Sequence, residues 1–126
     1  MLKEEIRTPA APLPLGSYSQ GVRVGDHLYL TGQCGFDPVS RELVSEDAGE
    51  QTRQALTNLR SIIEAAGGTM SNLVTVRVYI SSDDDWPEVN AAYGEFFEHP
   101  FPARTTVPVG LGDGIRVEID GIAVLA

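Results

Sequence analysis

Leu73-Val74-Thr75-Val76-Arg77-Val78-Tyr79-Ile80 is the stretch on which the fold turns. It is dense in β-branched residues and apolar at nearly every position, which predicts a strand in the interior of a sheet. Helical periodicity flanks it on both sides. Before it, over residues 46–66, Ala55, Leu56, Leu59, Ile62, Ile63 and Ala66 fall on one stripe, with Arg53, Asn58, Arg60 and Glu64 off it. Ser45 suits the N-cap, Glu46 and Asp47 complement the positive end of the helix dipole, and Gly67-Gly68 ends the helix. After it, Asp85 and Glu88 make a capping-box pattern with Pro87 in the first turn. Trp86, Val89, Tyr93, Phe96 and Phe97 then recur at intervals of three and four, marking the buried face of a second helix.

Further out, Val22-Arg23-Val24 and His27 to Gly32 are β-rich runs separated by Gly25-Asp26, a hairpin in which glycine supplies the positive φ of a tight turn. The proline-bearing residues 8–17 read as an irregular lead-in, and Val39 to Val44 fits either a loop or a short strand. Towards the C-terminus, Thr105-Thr106-Val107 favours a strand and Ile115 to Leu125 forms the last one. Gly110 to Gly114 is a loop between them ending in a hairpin-type Asp-Gly. Ile115, Val117 and Ile119 line one face of that last strand; Arg116, Glu118 and Asp120 line the other. The order is strand pair, helix, strand, helix, two strands, and at 126 residues the chain reads as one domain, 1–126. Two helices cover one face of such a sheet. The other face still carries apolar residues, and a second copy of the chain is the expected cover.

Composition narrows the function. The chain is 42% hydrophobic and 21% charged, and its 18 acidic against 9 basic residues give a formal charge of -9. That balance disfavours phosphate backbones and anionic membranes, so neither nucleic acid nor membrane is an expected partner. One cysteine, Cys34, excludes an internal disulfide and suits a reducing compartment. Met1-Leu2-Lys3-Glu4-Glu5 lacks a signal-peptide pattern, which makes the cytoplasm the expected location.

The chemistry is expected at Pro102-Ala103-Arg104-Thr105-Thr106-Val107. Prolines stiffen the approach through His99-Pro100-Phe101-Pro102, and alternation on a strand points Arg104 and Thr106 the same way. A guanidinium on a rigid strand can grip a planar carboxylate through two parallel hydrogen bonds. The competing reading pairs Arg104 with Glu118 or Asp120 on an adjacent strand. Glu118, among Val117, Ile119 and Ile122, is either a carboxylate in a water-poor pocket that positions water or a solvated strand residue. Weaker signals have plainer explanations. Gly110, Gly112 and Gly114 lack the lysine and helix of a phosphate loop, and Asp83-Asp84-Asp85 reads as a solvated helix start. His27 and His99 lack metal-ligand spacing, and Cys34, without an identifiable base, reads as a small buried hydrophobe.

Taken together, several segments resemble the RidA/YjgF family of enamine/imine deaminases, formerly labelled L-PSP endoribonucleases. They are Gly16-Ser17-Tyr18-Ser19-Gln20-Gly21, Leu30-Thr31-Gly32-Gln33, Gln54-Ala55-Leu56-Thr57-Asn58-Leu59, Ile63-Glu64-Ala65-Ala66-Gly67, Val89-Asn90-Ala91-Ala92-Tyr93, Phe101-Pro102-Ala103-Arg104 and Val117 through Val124. The resemblance implies a chorismate-mutase-like α+β fold, a mixed β-sheet with two helices on one face, assembled as a homotrimer around a central barrel with pockets between subunits. It implies hydrolysis of 2-aminoacrylate and related 2-imino acids to 2-keto acids and ammonia, without metal or organic cofactor. Arg104 matches the arginine holding the substrate carboxylate and Glu118 the glutamate orienting water. Tyr18, Thr31, Gly32 and Asn90 match pocket residues. Thr31 replaces a common serine and keeps the hydroxyl. Thr106 stands where many members carry cysteine: threonine suffices if the position contributes a backbone N–H or a small polar side chain, and not if it contributes a thiol. Two other functions compete. One is a non-catalytic binder of keto acids, which would not need Glu118; the other is a ribonuclease and translation inhibitor, for which the chain shows no basic track.

Overall fold

The computed structural model describes residues 2–125. Six strands form one sheet: β1 (Glu4–Ile6), β2 (Gly21–Val24), β3 (His27–Gln33), β4 (Leu73–Ile80), β5 (Ala103–Pro108) and β6 (Val117–Val124). Two helices, α1 (Ala48–Ala65) and α2 (Trp86–Gly94), connect β3 to β4 and β4 to β5. The strand order is β1-β2-β3-β6-β4-β5, with β4 and β5 parallel and every other pair antiparallel. Thus β4 lies inside the sheet, as its composition predicts, and α2 is the crossover that a parallel pair requires.

Cross-strand partners share a face, which sorts the side chains. Val78 opposite Ile119 and Leu28 opposite Ala123 point to the helical side, where all four are buried. With Leu56, Leu59, Ile62, Ile63 and Ile80 they make the core between sheet and helices, and each such aliphatic side chain contributes about 1.5–3 kcal/mol by leaving water. The alternate residues face outward: Arg77 bonds Asp120 at 2.8 Å, and Tyr29 is 46% exposed opposite Ile122. Both helices pack on the first face and leave this second one open, as expected.

Local chemistry explains most boundaries. Gly25, with φ 59°, is the first central residue of the two-residue turn joining β2 to β3, the position that favours glycine. Gly67, φ 91°, ends α1. Three expectations need correction. The cap of α1 is Asp47, whose Oδ1 accepts from the Gly49 N–H, while Ser45 Oγ accepts from the Asp47 N–H. Asp85 makes no capping box: Ser82 caps a 3-10 turn over Asp83–Asp85, and the Asp85 carboxylate instead accepts from Arg116 at 3.2 Å. The 110–114 loop joins no hairpin, because β6 inserts between β3 and β4, away from β5. Beyond these, the sequence pattern gives no sign of β1, and of the two readings of residues 39–44 the loop holds, with one isolated bridge from Phe36 to Leu43.

Buried amides fasten the irregular parts. Gln20 accepts from the Thr8 N–H at 2.7 Å and donates to the carbonyls of Thr8, Ala11 and Pro12, clasping the lead-in to the sheet. Gln51 holds the carbonyls of Ser45 and Gly114 and accepts from the Arg116 N–H. Asn58, expected off the buried stripe, is fully buried and donates to the carbonyls of Cys34 and Phe36. An unpaired amide in that position would cost about 1–3 kcal/mol, so these bonds make polar residues tolerable in the core.

Candidate active site

The residues singled out from sequence fall into two groups. The first surrounds Glu118 in a cleft of about 260 Å³, lined by Pro12, Leu13, Leu15, Tyr18, Gly32, Gln33, Cys34, Phe36, Arg41 and Glu118. Glu118 lies on β6 and is half-buried; its Oε1 accepts a hydrogen bond from the Cys34 thiol at 3.4 Å. Its Oε2 lies so close over Gly32 that a β-carbon there would sit 2.3 Å away, so any larger residue would force the carboxylate to shift. Burial, followed by the charge and hydrogen bond of Glu118, pushes the Cys34 thiol up to about 12, which keeps it a neutral donor at ordinary pH. Thr31 precedes Gly32 on β3 and gives its N–H to the Gln20 carbonyl; it does not line the cleft.

The second group surrounds Arg104 on β5. Its Nη2 donates to Asn90 Oδ1 at 2.8 Å, and its guanidinium lies 4.9 Å from the Trp86 ring centre and 4.5 Å from that of Tyr93. Such contacts hold a cation by its faces and leave the N–H fork at the edges open to a ligand. Trp86, expected in the core, is 39% exposed because its ring forms part of this platform. Burial raises the Tyr93 hydroxyl above its usual range, partly offset by the Arg104 charge. Thr106 lines the same groove as Arg104 and Trp86, and its Oγ1 is buried without a partner among the described residues.

Sheet register decides how the groups relate. Arg104 pairs with Val76 and Thr106 with Val78, so both point to the helical side. Glu118 pairs with Tyr79, and so points to the open side, with β4 intervening between β6 and β5. One chain therefore carries Arg104 and Glu118 on opposite faces of its sheet. Neither Glu118 nor Asp120 serves as the ion partner of Arg104; Asp120 takes Arg77. His27 stacks on Tyr29 and His99 packs on Phe101, and no cluster able to hold a metal ion occurs among the described residues.

The family model of Endoribonuclease L-PSP matches residues 8–125. The chain belongs to that family. Within it, a 2-iminobutanoate/2-iminopropanoate deaminase of Dermatophagoides farinae is 44% identical over 98% of this chain and 97% of its own. Among solved structures, RidA of an Antarctic Psychrobacter superposes with a TM-score of 0.91 at 38% identity, covering 96% of this chain and 98% of that one. The YjgF gene product of E. coli gives 0.92 at 38% identity, covering 98% and 99%. The helices-on-one-face sheet is thus the fold of the RidA/YjgF proteins.

Proposed function

We propose that this protein is an imine deaminase, hydrolysing 2-iminopropanoate and 2-iminobutanoate (tautomers of 2-aminoacrylate and its homologue) to 2-keto acids and ammonia. Full-length relatives bear that activity in their names, and the two groups of side chains supply complementary halves of the chemistry. The carrying observation is the sheet register. Because Arg104 and Glu118 face apart within a chain, a working site takes Arg104, Thr106 and Asn90 from one copy and Glu118, Tyr18 and Gly32 from the next, with Thr31 anchoring the strand beside Gly32 through the Gln20 carbonyl. Closed cyclic pairing of such unlike surfaces makes a ring. Three copies, with their open sheet faces turned inward around a barrel, is the assembly we favour. Each copy is a single domain over residues 1–126, working in the cytoplasm.

In such a site the free edge of the Arg104 fork grips the substrate carboxylate, steadied by Asn90 and the two rings. Glu118, oriented through Oε1 by Cys34, accepts a hydrogen from water and aims its oxygen at the C=N carbon. The new C–O bond forms as the C=N pair moves to nitrogen, which takes up a proton; Glu118 relays the proton lost by water. The carbinolamine hydroxyl then passes its proton through Glu118 to the nitrogen, its electron pair forms the C=O bond as the C–N bond breaks, and ammonia leaves with the 2-keto acid. The imine is already electrophilic, so positioning supplies most of the acceleration. The buried Thr106 hydroxyl offers a hydrogen bond to the held carboxylate. The test is direct: generate 2-aminoacrylate with a pyridoxal-phosphate dehydratase and follow pyruvate. Faster release with the protein is expected; an unchanged rate would sink the reading.

A further inference from the structure

The cleft around Glu118 holds a cation that the proposed chemistry does not use. Arg41 lines it together with Leu13, Leu15, Phe36 and Glu118. Most other arginines are engaged by the protein. Arg53, Arg77 and Arg116 bond carboxylates, Arg23 bonds the Ala66 carbonyl, Arg60 lies over Phe96, and Arg104 bonds Asn90. The Arg41 guanidinium has no hydrogen-bond or ion-pair partner among the described residues. Its backbone is fixed all the same. Asp37 Oδ1 accepts from the Val39 and Ser40 N–H groups, the Arg41 N–H donates to the Asp37 carbonyl at 2.9 Å, and Asp37 donates to the Glu42 carbonyl. Arg41 is also the one non-glycine residue with positive φ, 63°, among those described, a conformation that glycine adopts more readily than arginine.

We infer that Arg41 is a specificity-determining residue that tunes the site towards imines whose side chain ends in a second carboxylate, the 2-imino dicarboxylates. The inference rests on the deaminase reading and adds to it the substrate class. Leu13, Leu15, Phe36 and Arg41 line the same cleft as Glu118, so in the proposed site, with the first carboxylate on a neighbouring copy's Arg104 and the imine carbon at Glu118, that cleft is the space left for the substrate's side chain. A neutral, short side chain leaves that cation unused. An acidic one would be repelled by Glu118 in the same cleft unless a cation offset it, and Arg41 is the basic residue lining the cleft. A guanidinium at that end recognises a carboxylate by paired, charge-assisted hydrogen bonds.

The experiment compares 2-iminopropanoate with the imines of aspartate and glutamate, each generated in situ by an amino-acid oxidase, on the wild type, Arg41→Gly and Arg41→Glu. Glycine suits the positive φ, so Arg41→Gly keeps the fold, which a thermal melt verifies. The ratio of kcat/KM for the dicarboxylates to that for 2-iminopropanoate should fall about tenfold in Arg41→Gly, mainly through KM, and further in Arg41→Glu. In the wild type the ratio should also fall as salt rises, and in Arg41→Gly it should not. A ratio unmoved by both substitutions, or a loss shared equally by all substrates, would overturn this inference alone. No turnover of any imine would overturn the deaminase reading and this inference with it.

Discussion

The Arg104 region and the Glu118 region solve opposite problems of placement. Arg104 sits on β5, an edge strand paired on one side only, and is held from outside by α2 through Trp86, Tyr93 and Asn90. Glu118 sits on β6 between two strands and is held from within, by a thiol on one oxygen and a glycine against the other. The edge holds a cation at the rim of the sheet; the middle of the sheet keeps a carboxylate fixed. On the proposed reading each region is half of a site, and the two halves should then be separable by mutation.

The largest effect should come from breaking each half outright. Arg104→Ala should lower kcat/KM roughly 10³-fold, the worth of two charge-assisted hydrogen bonds at about 2 kcal/mol each. Glu118→Gln should lower kcat by roughly 10²–10⁴-fold. Mixing the two inactive variants after dissociation and reassembly should restore about a quarter of the sites, since random rings juxtapose an intact Arg104 with an intact Glu118 at one seam in four. Steady-state rates of the mixture read this, and no recovery would mean that the halves do not meet between copies.

A sharper probe of the inner half is Gly32→Ala. The new methyl would meet Glu118 Oε2 at 2.3 Å, displacing the carboxylate and lowering kcat by roughly 10²-fold. On the outer half, Thr106→Val should cost about tenfold in kcat/KM and leave the melting temperature unchanged or slightly higher, because the lost hydroxyl is unpartnered within the chain. The smallest catalytic effect is expected at Cys34. Cys34→Ala should lower kcat a few-fold with KM little altered, and Cys34→Ser should recover it. The thiol itself reports on the region. Raised to about 12 by burial and by Glu118, it should be alkylated about 10³-fold more slowly at pH 8 than an ordinary cysteine, and faster as pH rises through that value.

The same contrast explains what the sequence disclosed. Periodicity and β-branching reveal β4, α1 and the alternation of β6, because each depends on neighbours a few residues apart. The shared face of Arg104 and Thr106 is legible for that reason. The insertion of β6 between β3 and β4 is not, since it depends on pairings tens of residues distant, and so an Asp-Gly turn looks like a hairpin that never forms. Trp86 follows the helical period and yet leaves the core to carry Arg104. Asn58 sits one step from Leu59 and reads as surface, although it binds the Cys34 and Phe36 carbonyls. Cys34 became meaningful only beside Glu118, across 84 residues of chain.

Gln20 carries one more implication. Its amide clasps Thr8, Ala11 and Pro12 while the chain beyond it enters β2 by an independent set of bonds. The wall at residues 13–17 therefore behaves as a span bolted at both ends. An engineer could lengthen, shorten or reshape it to admit other molecules, and the sheet beneath would keep its alignment.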